Sequence, residues 1–191
     1  SWAYFETLAG ADDHGLPPDN IQEENGAVAH RTSPTNMGMG LLSTLAAHDL
    51  GLIPVAAAVD RLDTTLTTME GLERHEGHLL NWYDTRDLSP LPPRYVSTVD
   101  SGNLAGALLT LSEGCRRLAT SQPAEASRLS DLARRATAFA DGMSFGFLFD
   151  RERQLFSIGY RLADLGGPGR LDASYYDLLA SESRLASFFA I

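Results

Sequence analysis

The sequence lacks lysine altogether, since all 15 basic residues are arginine. This absence excludes a Schiff-base lysine, a pyridoxal-phosphate enzyme and the lysine of a phosphate-binding loop. Cysteine occurs once, as Cys115. The chain therefore forms no internal disulfide and no thiolate metal cluster, and we expect Cys115 to be a buried apolar thiol on a helix.

Positive charge and long apolar runs are also scarce. The net charge is -10, which disfavours nucleic acid and anionic membrane surfaces as partners but is indifferent to a neutral ligand. No apolar run reaches the ~18 residues that would span a bilayer, and no signal peptide is visible. The apolar fraction of 43% is that of an ordinary globular protein, so we expect a single domain with a sizeable core.

Helical periodicity dominates what is present. Ser33 and Pro34 predict a helix start, and Gly51 a stop after Asp49. Further apolar stripes run through 59–72, 104–118 and 129–143, the second of them capped by Asp100 or Ser101. With an opening helix at 1–9 and a closing one at about 178–190, the sequence predicts an all-α fold of about six antiparallel helices.

One segment near 147–160 is typical of strands. Residues 147–149 and 155–158 flank a turn-like stretch at 150–153, which predicts one small β-hairpin. The glycine-rich stretch 166–169 lacks the strand-to-helix setting of a dinucleotide fingerprint and is interpreted as a loop.

The connections between helices alternate in length. They are long at about 10–33, 75–100 and 146–177, and short at 51–57 and 121–124. In an up-and-down array, alternate connections fall on opposite ends, so all three long ones are expected at one end. Long connections inside a compact domain are usually functional. This layout is that of an (α/α) toroid with a site at one mouth.

The long connections are rich in side chains suited to sugars. Planar polar groups can pair with vicinal hydroxyls, and aromatic rings stack on the C–H faces of pyranose rings. The alternative is that these residues cap helices and satisfy loop backbones, and it stays open. The predicted substrate-binding residues are Asp19, Asn20, Gln22, His30 and Arg31; Asn81, Trp82, Tyr83, Asp84, Asp100, Ser101 and Asn103; and Tyr175, Tyr176 and Asp177.

Glycosyl transfer requires a carboxylic acid near the leaving oxygen and a second carboxylate. Glu182 is the candidate for the catalytic acid, because it follows Tyr175–Asp177 at the start of the last predicted helix. Its alternative role is to stabilise the helix dipole. His75 and His78 lack further ligands at matched spacing, so no metal and no cofactor is predicted.

Several runs resemble the glycoamylase-like domain of bacterial cyclic β-1,2-glucan synthases. They lie in order along the chain, at Leu16–Asn20, Val28–Asn36, Leu41–Ala47, Asn81–Thr85, Tyr95–Gly106, Leu155–Tyr160 and Ser174–Ser187. Ser183 and Ala107 depart from the family pattern, which has alanine and histidine there. The resemblance implies half of an (α/α)6 toroid, with residues 1–191 forming a single incomplete domain truncated at its C-terminal side.

The resemblance also implies an activity. The parent enzyme would cyclise linear β-1,2-glucan by retaining transglycosylation, with Glu182 as acid/base and the partner glutamate outside this chain. The alternatives are an endo-β-1,2-glucanase-like hydrolase and a non-catalytic glucan-binding module. The expected partners are β-1,2-glucan, the remaining half of the toroid and the other domains of the parent. The resemblance implies that the parent is a bacterial inner-membrane protein, with this domain on the cytoplasmic side. The fragment alone is expected to be inactive and to associate with copies of itself through exposed helix faces.

Overall fold

The computed structural model describes residues 2–176 and 184–190. Within these ranges the chain forms six helices, as predicted. They are α1 (Trp2–Leu8), α2 (Pro34–Asp49), α3 (Val55–Gly71), α4 (Thr98–Ser121), α5 (Ala126–Asp141) and α6 (Arg184–Phe189). None of them, within the same ranges, has both the length and the hydropathy that crossing a membrane requires.

The helix starts follow from local capping. Ser33 accepts a hydrogen bond from the Asn36 N–H at 3.2 Å, with Pro34 in the first helical position, which confirms the predicted start of α2. The predicted cap of α4 was wrong: Ser97, not Asp100 or Ser101, accepts the Asp100 N–H at 3.3 Å. An extended segment delivers Ser97 to the cap position, so Asp100 lies in the first turn with its side chain free for other contacts.

The core forms around α4, which packs against α2, α5 and α6. The predicted apolar stripe of this helix is buried from Leu104 to Leu118. Cys115 lies within it, and burial raises the pKa of its thiol to about 11. This confirms the expected buried, inert thiol.

Two glycines allow the helices that meet on α4 to approach closely. A Cβ added at Gly38 of α2 would lie 2.9 Å from the Cβ of Ala107, and one added at Gly102 would lie 2.5 Å from the backbone nitrogen of Ala186 in α6. α2 and α6 therefore rest almost directly on the backbone of α4, on either side of its first turns.

Short antiparallel strands lie in the long connections. They are β1 (Arg31–Thr32), β2 (Arg74–His75), β3 (His78–Leu79), β4 (Tyr83–Asp84), β5 (Tyr95–Ser97), β6 (Phe149–Asp150), β7 (Leu155–Phe156), β8 (Gly159–Arg161) and β9 (Arg170–Leu171). β6 pairs with β7, which confirms the predicted hairpin. The pairs β1–β4 and β2–β3 and the three-stranded order β5–β8–β9 were not predicted, because strands of two or three residues are too short for an alternating pattern.

The long connections gather at one end of the helices, as predicted. α2 and α4 run parallel, since Thr35 contacts Asp100 at their first turns and Asp49 pairs with Arg117 at their last, at 3.0 Å. β5 leads directly into α4, and β8 pairs with β5. The short links, at 50–54 and 122–125, lie at the opposite end.

Candidate functional site

A set of linked polar side chains surrounds the first turn of α4. Asp100 accepts a hydrogen bond from Thr35 Oγ1 at 2.5 Å, and Asn103 donates to the same Thr35 oxygen at 3.1 Å. In the orientation that satisfies both neighbours, the Asn81 amide donates to the other Asp100 oxygen at 3.2 Å and accepts from Trp82 Nε1 at 3.1 Å. We call these five half-buried residues the polar network.

An arginine from the first connection extends the polar network. The Arg31 guanidinium lies over the Trp82 ring, 4.7 Å from its centroid. Asp19 holds this guanidinium through Nε and Nη2, at 3.2 and 2.9 Å, and accepts a further hydrogen bond from Asn20 at 3.0 Å. Seven of the predicted binding residues, from two separate connections, are thus brought together.

His30 lies next to this group in the chain. Its Nδ1–H donates to Asp13 Oδ1 at 2.8 Å, and Asp13 also accepts from the Thr85 hydroxyl. Asp13 is 7% exposed and therefore belongs to the interior.

Tyr83 and Ser101 lie beneath the polar network. Tyr83 is fully buried; its hydroxyl donates to the Glu73 carbonyl at 2.6 Å, and burial raises its pKa. Ser101 Oγ lies 2.9 Å from Nδ1 of the fully buried His78. Both residues are thus buried and support the polar network from below, instead of facing a ligand.

Asp84 and Gln22 make loop contacts. Asp84 Oδ1 accepts from the backbone N–H groups of Arg86 and Asp87, at 2.8 and 3.4 Å. Gln22 is exposed in a turn and accepts from Asn25 at 3.5 Å. These contacts match the loop-stabilising alternative that the sequence left open.

The third connection supplies two tyrosines that pack near the hairpin. Tyr175 donates its hydroxyl to Asp150 at 2.7 Å, a bond that lowers the pKa of Asp150, and the Arg153 guanidinium lies 4.6 Å from the Tyr175 ring centroid. The Tyr176 N–H donates to the Phe156 carbonyl at 3.3 Å. Asp177 and Glu182 lie outside the described residues.

His75 and His78 belong to an aromatic cluster. His75 stacks on Tyr160 at 5.3 Å, and His78 meets the Phe145 ring edge-to-face at 4.8 Å. Among the residues that the structure describes, no three His, Cys, Asp or Glu side chains lie close enough to hold a metal ion.

A groove adjoins the polar network. It encloses about 450 Å³ between α2, α4 and α6, and Thr35 and Asn103 stand at its polar end. Its apolar wall includes Met39, Leu185 and Phe189. A separate cavity of about 240 Å³, between α1, α2 and α3, contains none of the predicted binding residues.

The sequence reasoning missed Thr35, Asp13 and Thr85. The available signal for Thr35 was its place directly after the Ser33–Pro34 helix start, at the end where the long connections gather. Asp13 and Thr85 carried no such signal, because their contacts join residues that are 17 and 72 positions apart.

The pattern of the protein family DUF3131, described as a protein of unknown function, matches residues 1–105. The chain is also 31% identical over 310 residues to cyclic β-(1,2)-glucan synthase NdvB of Rhizobium meliloti (strain 1021). This match covers 100% of the chain and 11% of the synthase, and it confirms the resemblance read from the motifs. The matched region is longer than the 191-residue chain, so part of it has no counterpart here.

Solved structures share the fold. The endo-β-1,2-glucanase from Talaromyces funiculosus with sophorose has a TM-score of 0.72 at 16% identity, over 96% of this chain and 42% of that one. The endo-β-1,2-glucanase from Chitinophaga pinensis, in complex with sophorotriose and glucose, has a TM-score of 0.67 at 15% identity, over 87% of this chain and 39% of that one. The β-1,2-glucanase from Parabacteroides distasonis has a TM-score of 0.68 at 14% identity, over 86% of this chain and 22% of that one.

These structures are glucoamylase-like toroids, which confirms the predicted (α/α)6 class. The chain spans less than half the length of each of them and about a ninth of the synthase. With more than half of its residues matched by the family pattern, the chain belongs to the protein family DUF3131.

Proposed function

We propose that this chain is a carbohydrate-active domain that acts on β-1,2-glucan, and that its intact parent cyclises linear β-1,2-glucan by retaining transglycosylation. The observation that carries the proposal is the polar network, with Arg31 stacked on Trp82 at its edge. It brings a carboxylate, two amides, a hydroxyl and an indole to one end of the helices, next to an open groove.

The chemistry of the polar network suits a neutral polyhydroxylated ligand. Amide and carboxylate groups can each bond two vicinal hydroxyls, and an indole offers an apolar face to a sugar ring. The Asn103 side-chain amide donates one N–H to Thr35. Within the described residues its side-chain oxygen Oδ1 makes no hydrogen bond, so that oxygen can accept from a ligand hydroxyl. The chain's negative charge does not oppose such a ligand.

The catalytic part of the proposal assigns Glu182 as acid/base. It precedes α6 in the sequence by two residues, and Ala186 of α6 contacts Gly102, two residues after Asp100 in α4. A retaining mechanism needs a second carboxylate about 5–5.5 Å from the first. We assign that partner to a part of the parent protein outside this chain.

The incomplete match to the solved toroids supports the proposed domain organisation. Residues 1–191 would form a single incomplete toroid, with its missing part and further domains supplied by the parent on the cytoplasmic side of a bacterial inner membrane. The chain alone would then bind glucan weakly and catalyse nothing, because its mouth is open on one side.

Two alternative functions share this site. An endo-acting hydrolase would use the same carboxylates with water as acceptor, and the names of the matched β-1,2-glucanases favour this alternative. A non-catalytic glucan-binding module would need only the polar network. The products formed by the intact parent distinguish the three functions.

The test uses the intact parent with the substitution Glu182→Gln, which keeps the side-chain shape and removes the proton donor. We expect the loss of cyclic glucan formation with glucan binding retained, measured by chromatography of the products and by equilibrium binding. The control Glu113→Gln changes an exposed glutamate on α4, whose only ion pair within the described residues is with Arg116 at 3.6 Å.

Each of the other possible results contradicts one part of the proposal. Full ring formation by Glu182→Gln would remove the acid/base assignment. Linear, shortened products from the wild type would favour the hydrolase, and binding without any product would favour the binding module.

A further inference from the structure

A buried carboxylate links the two connections that carry the polar network. Asp13 lies in a short 3-10 turn, is 7% exposed, and has no basic partner other than His30 within the described residues. Burying a carboxylate is costly unless it is paired and hydrogen-bonded. Both of its contacts are made by Oδ1, with His30 Nδ1 at 2.8 Å and with the Thr85 hydroxyl.

The segments that Asp13 joins are held to each other as well. The Thr85 N–H donates to the His30 carbonyl at 3.1 Å, and His14 Nδ1 lies 2.9 Å from the Thr85 carbonyl. Thr85 is fully buried, and its N–H, carbonyl and hydroxyl groups are each held by one of these contacts. Residues from three points in the sequence meet around one oxygen of Asp13.

This junction lies at the end of the β1–β4 ladder. In that ladder Arg31 pairs with Asp84 and Thr32 with Tyr83. Arg31 directly follows His30, and Trp82 directly precedes Tyr83. The orientation of Arg31 over Trp82 thus depends on the register between β1 and β4. Asp13 holds that register at one end of the ladder, through His30 and Thr85.

We propose that Asp13 is a positioning residue for the Arg31–Trp82 pair. It makes no contact with the ligand and acts through His30 and Thr85. The consequence for glucan binding rests on the proposed function: with the strands held in register, Trp82 presents its ring beside the polar network at a fixed angle. A purely stabilising role would lower the unfolding midpoint and leave the environment of Trp82 in the folded protein unchanged.

Trp82 itself reports on this proposal. The sequence has two tryptophans, so in a Trp2→Phe background Trp82 is the only fluorescent indole. Into that background we would introduce Asp13→Asn, which keeps the shape of the side chain but removes its charge. The matched control Ser112→Ala also deletes a buried hydrogen-bonding group, which donates to the Ala133 carbonyl at 2.9 Å between α4 and α5.

Two measurements are made on folded protein, below the unfolding midpoint of every variant. Asp13→Asn is expected to raise the acrylamide quenching constant of Trp82 about twofold and to weaken binding of a β-1,2-linked gluco-oligosaccharide about tenfold, since hydrogen bonds to a charged group are stronger than neutral ones. Ser112→Ala is expected to change neither value. Should Asp13→Asn fail to fold, Thr85→Val removes one of the two contacts with little change of shape, and a smaller shift in the same direction is expected.

The outcomes separate this inference from the proposed function. Quenching and affinity of Asp13→Asn equal to those of Ser112→Ala would overturn the positioning role. Wild-type protein that binds no glucan, with Trp82 still more exposed in Asp13→Asn, would overturn the glucan proposal and support the positioning role of Asp13.

Discussion

At the scale of single residues, the support beneath the polar network depends on a neutral histidine. His78 is fully buried, its Nδ1 lies 2.9 Å from Ser101 Oγ, and its Nε2 makes no hydrogen bond of good geometry with any residue that the structure describes. Burial lowers its pKa to about 4, a change that the backbone of Ser144 partly offsets and nearby His75 reinforces. Because Ser101 directly follows Asp100, a charge on His78 would act next to the polar network.

The lowered pKa predicts a loss of stability in mild acid. An unfolded histidine takes up its proton near pH 6.5, whereas folded His78 stays neutral down to about pH 4. The stability contributed by neutral His78 is therefore fully present above about pH 6.5 and is lost as the pH falls toward 4. Between pH 7.5 and 4.5 this amounts to roughly 2–3 kcal/mol, measurable by urea denaturation.

Two variants isolate the contribution of His78 from that of other acidic groups. His78→Gln keeps a hydrogen-bonding group but does not titrate, so its stability should fall less than that of the wild type over the same pH range. Ser112→Ala, which removes a buried hydroxyl that does not titrate, should keep the wild-type pH dependence. Identical pH dependence in His78→Gln and the wild type would contradict the account.

The sequence predicted part of the candidate site at this scale. The side chains of Asp19, Arg31, Asn81, Trp82 and Asp100 could be selected, because long connections in a compact domain are usually functional and these residue types suit a sugar. Residue type alone could not separate network members from buried or loop-capping neighbours. Whether a tyrosine points inward, for example, depends on the register of a two-residue strand.

At the scale of elements, close helix packing around α4 determines where the network residues lie. Gly38 sits against Ala107, and this contact sets the distance between the first turns of α2 and α4. Thr35 and Asp100, which bond to each other, lie in those two turns. Periodicity predicted the helices, but their distance of approach was not predictable, because it depends on which glycine faces which residue.

The substitution Gly38→Ala should therefore destabilise the protein by about 1–3 kcal/mol, because the added methyl group meets a Cβ carried by the backbone of α4. The matched control is Gly71→Ala in α3, where an added Cβ meets nothing within 4 Å. That control should be neutral or slightly stabilising, since alanine favours the helix over glycine. Chemical denaturation of both variants measures the difference, and equal effects would argue against a tight α2–α4 contact.

At the scale of the whole molecule, apolar side chains remain exposed beside the groove between α2, α4 and α6. Phe188 is 70% exposed and Met39 is 52% exposed. The Phe188 ring packs against Phe189 of the groove wall, and exposed apolar surface of this kind favours association. The helical periodicity predicted the all-α class and the alternating connections predicted the end where the long connections gather, but the exposed patch could be identified only once the helices had been placed.

The exposed patch predicts self-association of the isolated chain. Sedimentation velocity should show a dimer that dissociates on dilution, and Phe188→Glu should shift the equilibrium toward monomer. Leu165→Glu is the matched control, because Leu165 is also an exposed apolar residue but lies in the loop between β8 and β9. A concentration-independent monomer of the wild type would contradict this prediction.

The central claim is that the first and second connections build a glucan-binding surface around the first turn of α4. Calorimetric titration of the chain with linear β-1,2-gluco-oligosaccharides tests it most directly, with Trp82→Ala and Asp100→Asn as site variants. Asp164→Asn is the control, since Asp164 pairs with Arg161 in the third connection, at 2.9 Å. The account predicts saturable binding that each site variant weakens about tenfold and the control leaves unchanged. Absence of binding, or equal affinity in Trp82→Ala, Asp100→Asn and the wild type, would contradict it.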